Sequence, residues 1–237
     1  MSKLYAIGDL HLSFASDKPM DVFGSEWANH HRRIEDQWRS IVGKDDVVFI
    51  PGDISWALKL EDAVPDLEWI RELPGTKVFL KGNHDLWWNS VSRLRNLWPG
   101  EMLFIQNDSL VMGEGASAVA LTGSRGWLTP QDKNYTATAD EKIYKRELGR
   151  LRLALESARK SGAPRIIAAM HYQPTGGGRE SEFTQMFTEF GVETVIYGHL
   201  HGRDAYKKGI QGTIGGVRYL LVSADYIAFR PQLITEL

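Results

Sequence analysis

Five of the seven histidines in this chain, His11, His84, His171, His199 and His201, stand at or just beyond the ends of short apolar runs. Asp9, Asp53, Asn83 and Asp85 accompany them. Imidazole, carboxylate and amide together suit Mn, Fe, Zn, Ni or Co, and the chain has no cysteine that would add a thiolate. Asp9 and His11 are two residues apart, as are His199 and His201, a spacing that puts both members of each pair on the same side of an extended segment. Gly8, Gly52, Gly82 and Gly198 precede these clusters, where glycine lets a backbone turn sharply or approach an ion. Any one Asp-x-His is more often chance than a site. Five strand ends that each finish in Asp, Asn or His are hard to explain as core packing, because buried carboxylates and imidazoles need partners. The donors outnumber the positions around one ion, so two adjacent ions are the economical reading.

The elements that must position these residues follow from periodicity. Apolar runs predict strands near Leu4–Gly8, Val47–Pro51, Lys77–Leu80, Met102–Gln106, Ala118–Thr122, Arg165–Met170, Thr194–Tyr197 and Val217–Val222. Helical spacing appears between them. Ser25 is placed to cap a helix carrying Trp27, Ile34, Trp38, Ile41 and Val42; a second holds Leu67, Trp69, Ile70 and Leu73 and stops at Pro74-Gly75; a third runs from about Ala139 to Lys160. The pattern is α/β, and in an open α/β sheet the ligand crevice lies outside the carboxyl ends of the strands. The stretches 14–24 and 123–134 lack periodicity and read as long surface loops. No domain boundary stands out, so residues 1–237 are expected to form a single domain.

Composition narrows the function classes. With 28 Lys and Arg against 30 Asp and Glu, the net charge of -2 gives no general bias toward nucleic acid or acidic membranes. The 43% hydrophobic content can build a core without staples. No apolar stretch approaches the roughly 20 residues that span a bilayer, and Asp9 arrives too soon for a signal peptide. A cytoplasmic protein with no membrane partner is expected; the oligomeric state is not legible.

Taken in order, Gly8-Asp9-Leu10-His11, Gly52-Asp53, Gly82-Asn83-His84-Asp85, His171 and Gly198-His199-Leu200-His201 resemble the calcineurin-like metallophosphoesterases. The blocks span residues 8 to 201, nearly the whole chain. The resemblance implies a four-layer α/β/β/α sandwich of two mixed sheets. It implies one metal held by Asp9, His11, Asp53 and His201, and a second held by Asp53, Asn83, His171 and His199, with Asp53 bridging. It implies further that His84 faces the phosphate and is oriented by Asp85. Mn or Fe are the favoured ions, with Zn, Ni or Co as alternatives. The nearest pattern is that of a group of uncharacterised bacterial predicted phosphohydrolases, through Asp9-Leu10-His11-Leu12-Ser13-Phe14 and Pro51-Gly52-Asp53-Ile54-Ser55-Trp56-Ala57. The protein phosphatase branch reads Gly-Asp-x-Val-Asp-Arg and Gly-Asn-His-Glu, and Ile54-Ser55-Trp56 and Asp85 depart from it.

Two divalent ions, Asp9, Asp53 and a bridging hydroxide leave such a site about one positive charge, which attracts a phosphate ester while the hydroxide attacks phosphorus. Phosphodiesters or nucleotides are the favoured substrates. Arg125, Trp127, Arg179 and Arg203 lie in loops from which a guanidinium or an indole would meet a second phosphate or a base, although surface arginines are common and tryptophans more often pack. Two other classes remain: a non-catalytic metal-binding scaffold for a protein partner, and a nuclease on short oligonucleotides, for which the sequence shows no basic stripe.

Overall fold

The computed structural model describes residues 2–178 and 180–237. Its elements are β1 (Lys3–Ala6), α1 (His30–Ile41), β2 (Val47–Ile50), α2 (Leu60–Arg71), β3 (Thr76–Phe79), α3 (Val91–Leu97), β4 (Met102–Phe104), β5 (Ser109–Met112), β6 (Val119–Ser124), α4 (Ala137–Lys160), β7 (Arg165–Met170), α5 (Glu182–Glu189), β8 (Thr194–Tyr197), α6 (Arg203–Tyr206), β9 (Gly212–Ile214), β10 (Val217–Leu221) and β11 (Gln232–Glu236). One sheet has the order β11-β1-β2-β3-β4 and the other β5-β6-β7-β8-β10-β9. Both are mixed, because β11, β5 and β9 pair antiparallel with otherwise parallel neighbours.

Alternation along the strands builds the layers. Leu4 and Ala6 of β1, and Val47 and Phe49 of β2, face the second sheet and pack with Leu121, Ile167 and Ile196. Their sequence neighbours Tyr5, Val48 and Ile50 face outward, onto Ile34 and Trp38 of α1 and Leu67 and Ile70 of α2. Beyond the second sheet, Leu151 and Leu155 of α4 and Phe183 and Phe187 of α5 cover Ala168, Val195 and Tyr219. The result is the four-layer α/β/β/α arrangement.

The eight strands expected from the sequence are all present. The three it misses, β5, β9 and β11, are each the edge strand of a sheet, where burial is partial and the apolar pattern correspondingly faint. The first helix also differs. Ser25 opens a short 3-10 turn rather than capping α1, and the residue before α1 is Asn29, with a left-handed φ of 50°. That break lets Trp27 turn inward, its ring edge-on to His11, His201 and Phe229. The second helix starts earlier than its apolar spacing suggests, at Leu60, and contains Pro65. The 123–134 stretch is irregular but not wholly superficial, since Thr129 is buried. Among the described residues, no helix is long and apolar enough to cross a membrane.

Candidate metal centre

The motif loops lie side by side beyond the strand ends. The N–H of Asp9 donates to the Gly52 carbonyl and that of His11 to the Asp53 carbonyl, both at 3.0 Å, joining the loop after β1 to the loop after β2. The N–H of Gly8 donates at 2.7 Å to the Val222 carbonyl, which ties the first sheet to the end of β10. Asp9, His11, Asp53 and His199 hold left-handed φ angles of 57, 46, 52 and 70°, a conformation that costs a non-glycine residue about 1 to 2 kcal/mol. Close approach explains two glycines: a Cβ on Gly82 would strike the Asp53 carboxylate, and one on Gly198 would strike that of Asp9.

Two groups of donors result, Asp9, His11 and His201 in one and Asp53, His171 and His199 in the other, each with its donor atoms within 4.8 Å of one another. Oδ2 of Asp53 lies 3.3 Å from Nε2 of His171 and 3.8 Å from Nε2 of His11, so one oxygen faces both groups. Asn83 joins the second group, with Oδ1 2.6 Å from Nε2 of His171 and 2.9 Å from Nδ1 of His199.

Proton positions test whether these residues suit cations. Nδ1–H of His171 donates to the Pro51 carbonyl at 3.1 Å, which turns Nε2 toward the Asp53 and Asn83 oxygens, and against burial the Asp53 carboxylate favours a proton on that nitrogen. Nδ1 of His201 faces Oδ1 of Asp225 at 3.0 Å and donates to it, and Nε2 then faces Nε2 of His11 at 3.3 Å and Oδ1 of Asp9 at 3.6 Å. Ring nitrogens and carboxylate oxygens that converge over shared protons present lone pairs to a cation once those protons leave, and oxygen and imidazole donors suit divalent transition ions. The contacts from Pro51 and Asp225 fix ring orientation in the way that partners of metal-bound histidines do.

Charge within the cluster is uneven. Burial lowers His11 to about 4, and burial together with His171 lowers His199 to about 3. For His201 burial is overcome by the carboxylates of Asp225 and Asp9, which raise it to about 10. Burial likewise opposes the ionised form of Asp53, but His171 and His11 hold the carboxyl far below its usual range. A divalent ion takes the place of the protons that these carboxylates otherwise attract.

His84 stands apart. Its side chain is 42% exposed, its Nε2 is 4.0 Å from Oδ2 of Asp53, and its ring packs on Trp56. Asp85 does not orient it, contrary to expectation. The Asp85 carboxylate is fully buried and accepts from the backbone N–H groups of Asp53, Ile54, Ser55 and Gly82 and from the indole N–H of Trp87. Its role is to hold the Asp53 turn. Burial and the nearby Asp53 push Asp85 up to about 6, while these N–H donors pull it down.

The loop residues proposed to meet substrate are dispersed. Arg125 lies 3.6 Å from Glu147, with its guanidinium 4.8 Å from the Trp127 ring. Trp127 donates to Asp140 and packs against Tyr172, so its ring is held by neighbours rather than presented to a base. Arg203 is exposed at the start of α6, and Arg179 lies outside the described residues. Trp87 and Trp88 are core residues. The cleft over the donors, about 440 Å³, is walled instead by Met20, Phe23, Trp27 and Trp56. Asp225 was missed, although it follows the end of β10 as Asp9 and Asp53 follow β1 and β2, and that shared position was a usable signal.

Comparison with known proteins agrees with this geometry. The gene 66 proteins of Mycobacterium phages L5 and D29 are both 34% identical to the chain, over 85 and 87 residues, in each case 36% of this chain and 41% of the relative. The chain thus spans about two fifths of the length of the curated relatives it matches. Two solved structures share the fold. A phosphopantetheinyl hydrolase from Mycobacterium tuberculosis has a TM-score of 0.61 at 15% identity, over 98% of this chain and 95% of that one. A protein of unknown function from Aquifex aeolicus has a TM-score of 0.51 at 12% identity, over 98% and 96%. The model of the calcineurin-like phosphoesterases matches residues 2–203, and the chain belongs to that family.

Proposed function

We propose that the protein is a hydrolase of phosphate esters that works with two divalent ions, Mn or Fe before Zn, Ni or Co, and prefers phosphodiesters or nucleotides to phosphoproteins. The observation that carries the reading is Oδ2 of Asp53, one oxygen facing both histidine groups. Asp9, His11 and His201 would hold one ion and Asn83, His171 and His199 the other, with Asp53 between. Two such ions, when bound, draw charge from the phosphoryl oxygens and acidify a water held between them.

The remaining steps fall to the chain. Of the histidines that line the cleft, His84 has the more exposed side chain, 42% against 33% for His201, and it belongs to neither donor group. Burial lowers it, so near neutrality the ring offers an N–H rather than a charge. That N–H would bond the departing ester oxygen, and the protonated fraction of the ring, which returns to neutral imidazole, would pass it the proton. Met20, Phe23, Trp27 and Trp56 give the cleft an apolar wall beside it. Arg125 is kept as a residue that meets a more distant part of a substrate and Arg203 as a peripheral contact, whereas Trp127, held by Asp140 and Tyr172, is set aside. The reading takes residues 1–237 as one domain, since donors from both sheets form each group, and the setting as cytoplasmic, in line with a chain without cysteine.

A scaffold without turnover would be expected to have lost a donor or His84, and all are present. The test is protein stripped with chelator, reloaded with Mn, Fe, Ni, Zn or Mg, and assayed on nitrophenyl mono- and diesters and on phosphopeptides. Diesters should turn over at least as well as phosphopeptides. Robust phosphopeptide turnover with inert diesters would reverse the substrate order, and hydrolysis of nothing with any metal would leave the scaffold.

A further inference from the structure

A second cavity of about 280 Å³ lies beside the metal centre, where the ends of β3 and β4 meet β6 and α4. Backbone links join the two, though no residue lines both: Lys81 stands two residues before Asn83, and the Arg125 carbonyl accepts from the N–H groups of His171 and Tyr172 at 3.2 and 3.0 Å. Four cationic side chains, Lys81, Arg125, Arg146 and Arg150, line it with a single acid, Glu147, an excess of three positive charges.

A closed ion-pair network would balance; this one does not. Oε1 of Glu147 accepts from Arg150 at 2.8 Å and lies 3.6 and 3.7 Å from Arg125 and Arg146, so one buried oxygen serves three guanidinium groups. The other oxygen, Oε2, is buried without a partner, yet donors outnumber it. Nε of Arg125 has no partner, and neither has the indole N–H of Trp88, a lining residue only 1% exposed. Surplus positive charge and unmet N–H donors in one concavity are what an oxyanion with several acceptor oxygens satisfies, and planar guanidinium forks match phosphate in particular. The volume is near the lower bound, about 300 Å³, of small-ligand pockets, which suits one or two phosphate groups and not a whole nucleoside.

We infer that this cavity is a second anion site, built to hold a phosphate group alongside the metal centre. The group has two possible sources, a further phosphate on the substrate or free inorganic phosphate, and the first rests on the phosphoesterase reading above.

Calorimetric titration of the metal-loaded protein with inorganic phosphate should resolve two sites. Arg150→Gln should weaken one of them at least tenfold, as should Arg146→Gln, whose half-exposed side chain makes it a mild change for the fold. Asp53→Asn should abolish the other site and spare this one. A single phosphate site, lost in Asp53→Asn and unmoved by both arginine variants, would overturn the inference and leave the phosphoesterase reading intact. An arginine-dependent site in a protein that hydrolyses no ester would do the reverse. The sources separate kinetically: a substrate phosphate predicts that Arg150→Gln raises KM for adenosine diphosphate at least tenfold more than for nitrophenyl phosphate. Free phosphate predicts that added phosphate shifts both rates alike in the wild type and that the shift disappears in Arg150→Gln.

Discussion

The backbone N–H of Asp53 donates to Oδ2 of Asp85 at 2.9 Å, so the acid that faces both histidine groups is itself held in place by an acid that faces neither. Each buried donor left without an acceptor costs about 1 to 3 kcal/mol. Asp85→Asn turns one of two accepting oxygens into a donor and strands at least two of the five N–H groups. It should lower stability by about 3 to 5 kcal/mol and reduce metal content, because the Asp53 turn loosens. A urea midpoint and metal content equal to wild type would show that the turn holds itself.

Metal content separates the acids and histidines of the centre. Oδ2 of Asp53 faces both groups, whereas His11 belongs to one. Asp53→Asn should therefore deplete both ions and His11→Ala chiefly one, as read by elemental analysis after exhaustive dialysis. Two full equivalents in Asp53→Asn would count against the shared position.

His84 should behave otherwise. Because it is partly exposed and reaches only the edge of the donor set, His84→Ala is expected to keep both ions and lose about 10² to 10⁴ in turnover of alkyl esters, the usual range for a general acid. Nitrophenyl esters, whose leaving group needs little protonation, should suffer much less. Loss of one ion, or equal slowing of both ester classes, would make His84 a ligand or a charge stabiliser instead.

The protein stripped of metal should be most stable near pH 6.5. His11 and His199 are held at about 4 and 3 in the fold against about 6.5 when unfolded, so below pH 6.5 the unfolded chain binds more protons and stability falls with pH. By pH 4.5 each histidine contributes a loss of about 2 to 3 kcal/mol. Burial also lowers His30, His31 and His84, which act in the same direction. Asp85, raised to about 6, acts oppositely between about pH 4 and 6 and offsets roughly one histidine. Above pH 6.5 the sign changes: His201, raised to about 10, contributes stability that is lost as pH climbs toward that value. Urea midpoints of chelator-treated protein from pH 4.5 to 9 would test this, and a maximum at either end would refute it.

The sequence made the centre legible because each ligand candidate closes an apolar run, a pattern that core packing does not produce. The strands of both sheet interiors were legible for the same reason, being buried on two faces. What escaped was set by tertiary contact. The motif's resemblance turned His84 toward the phosphate, but nothing in Asn83-His84-Asp85 says that the last residue faces the core; only the convergence of five N–H groups on Asp85 decides it. The 3-10 turn at Ser25 likewise replaced a plausible cap because Trp27 has histidine rings to pack against.

The left-handed backbone at Asp9, His11, Asp53 and His199 sets folding and chemistry against each other. Glycine at any of the four would relieve a local conformational cost of about 1 to 2 kcal/mol while deleting a donor. Once selection for turnover is lifted, mutation should therefore drift toward glycine at His11 and His199 before Asp9 and Asp53, whose carboxylates accept the backbone N–H groups of His199 and His84. A descendant of this chain that has given up its reaction would carry glycines at these sites, written into a sandwich more comfortable than its working ancestor's.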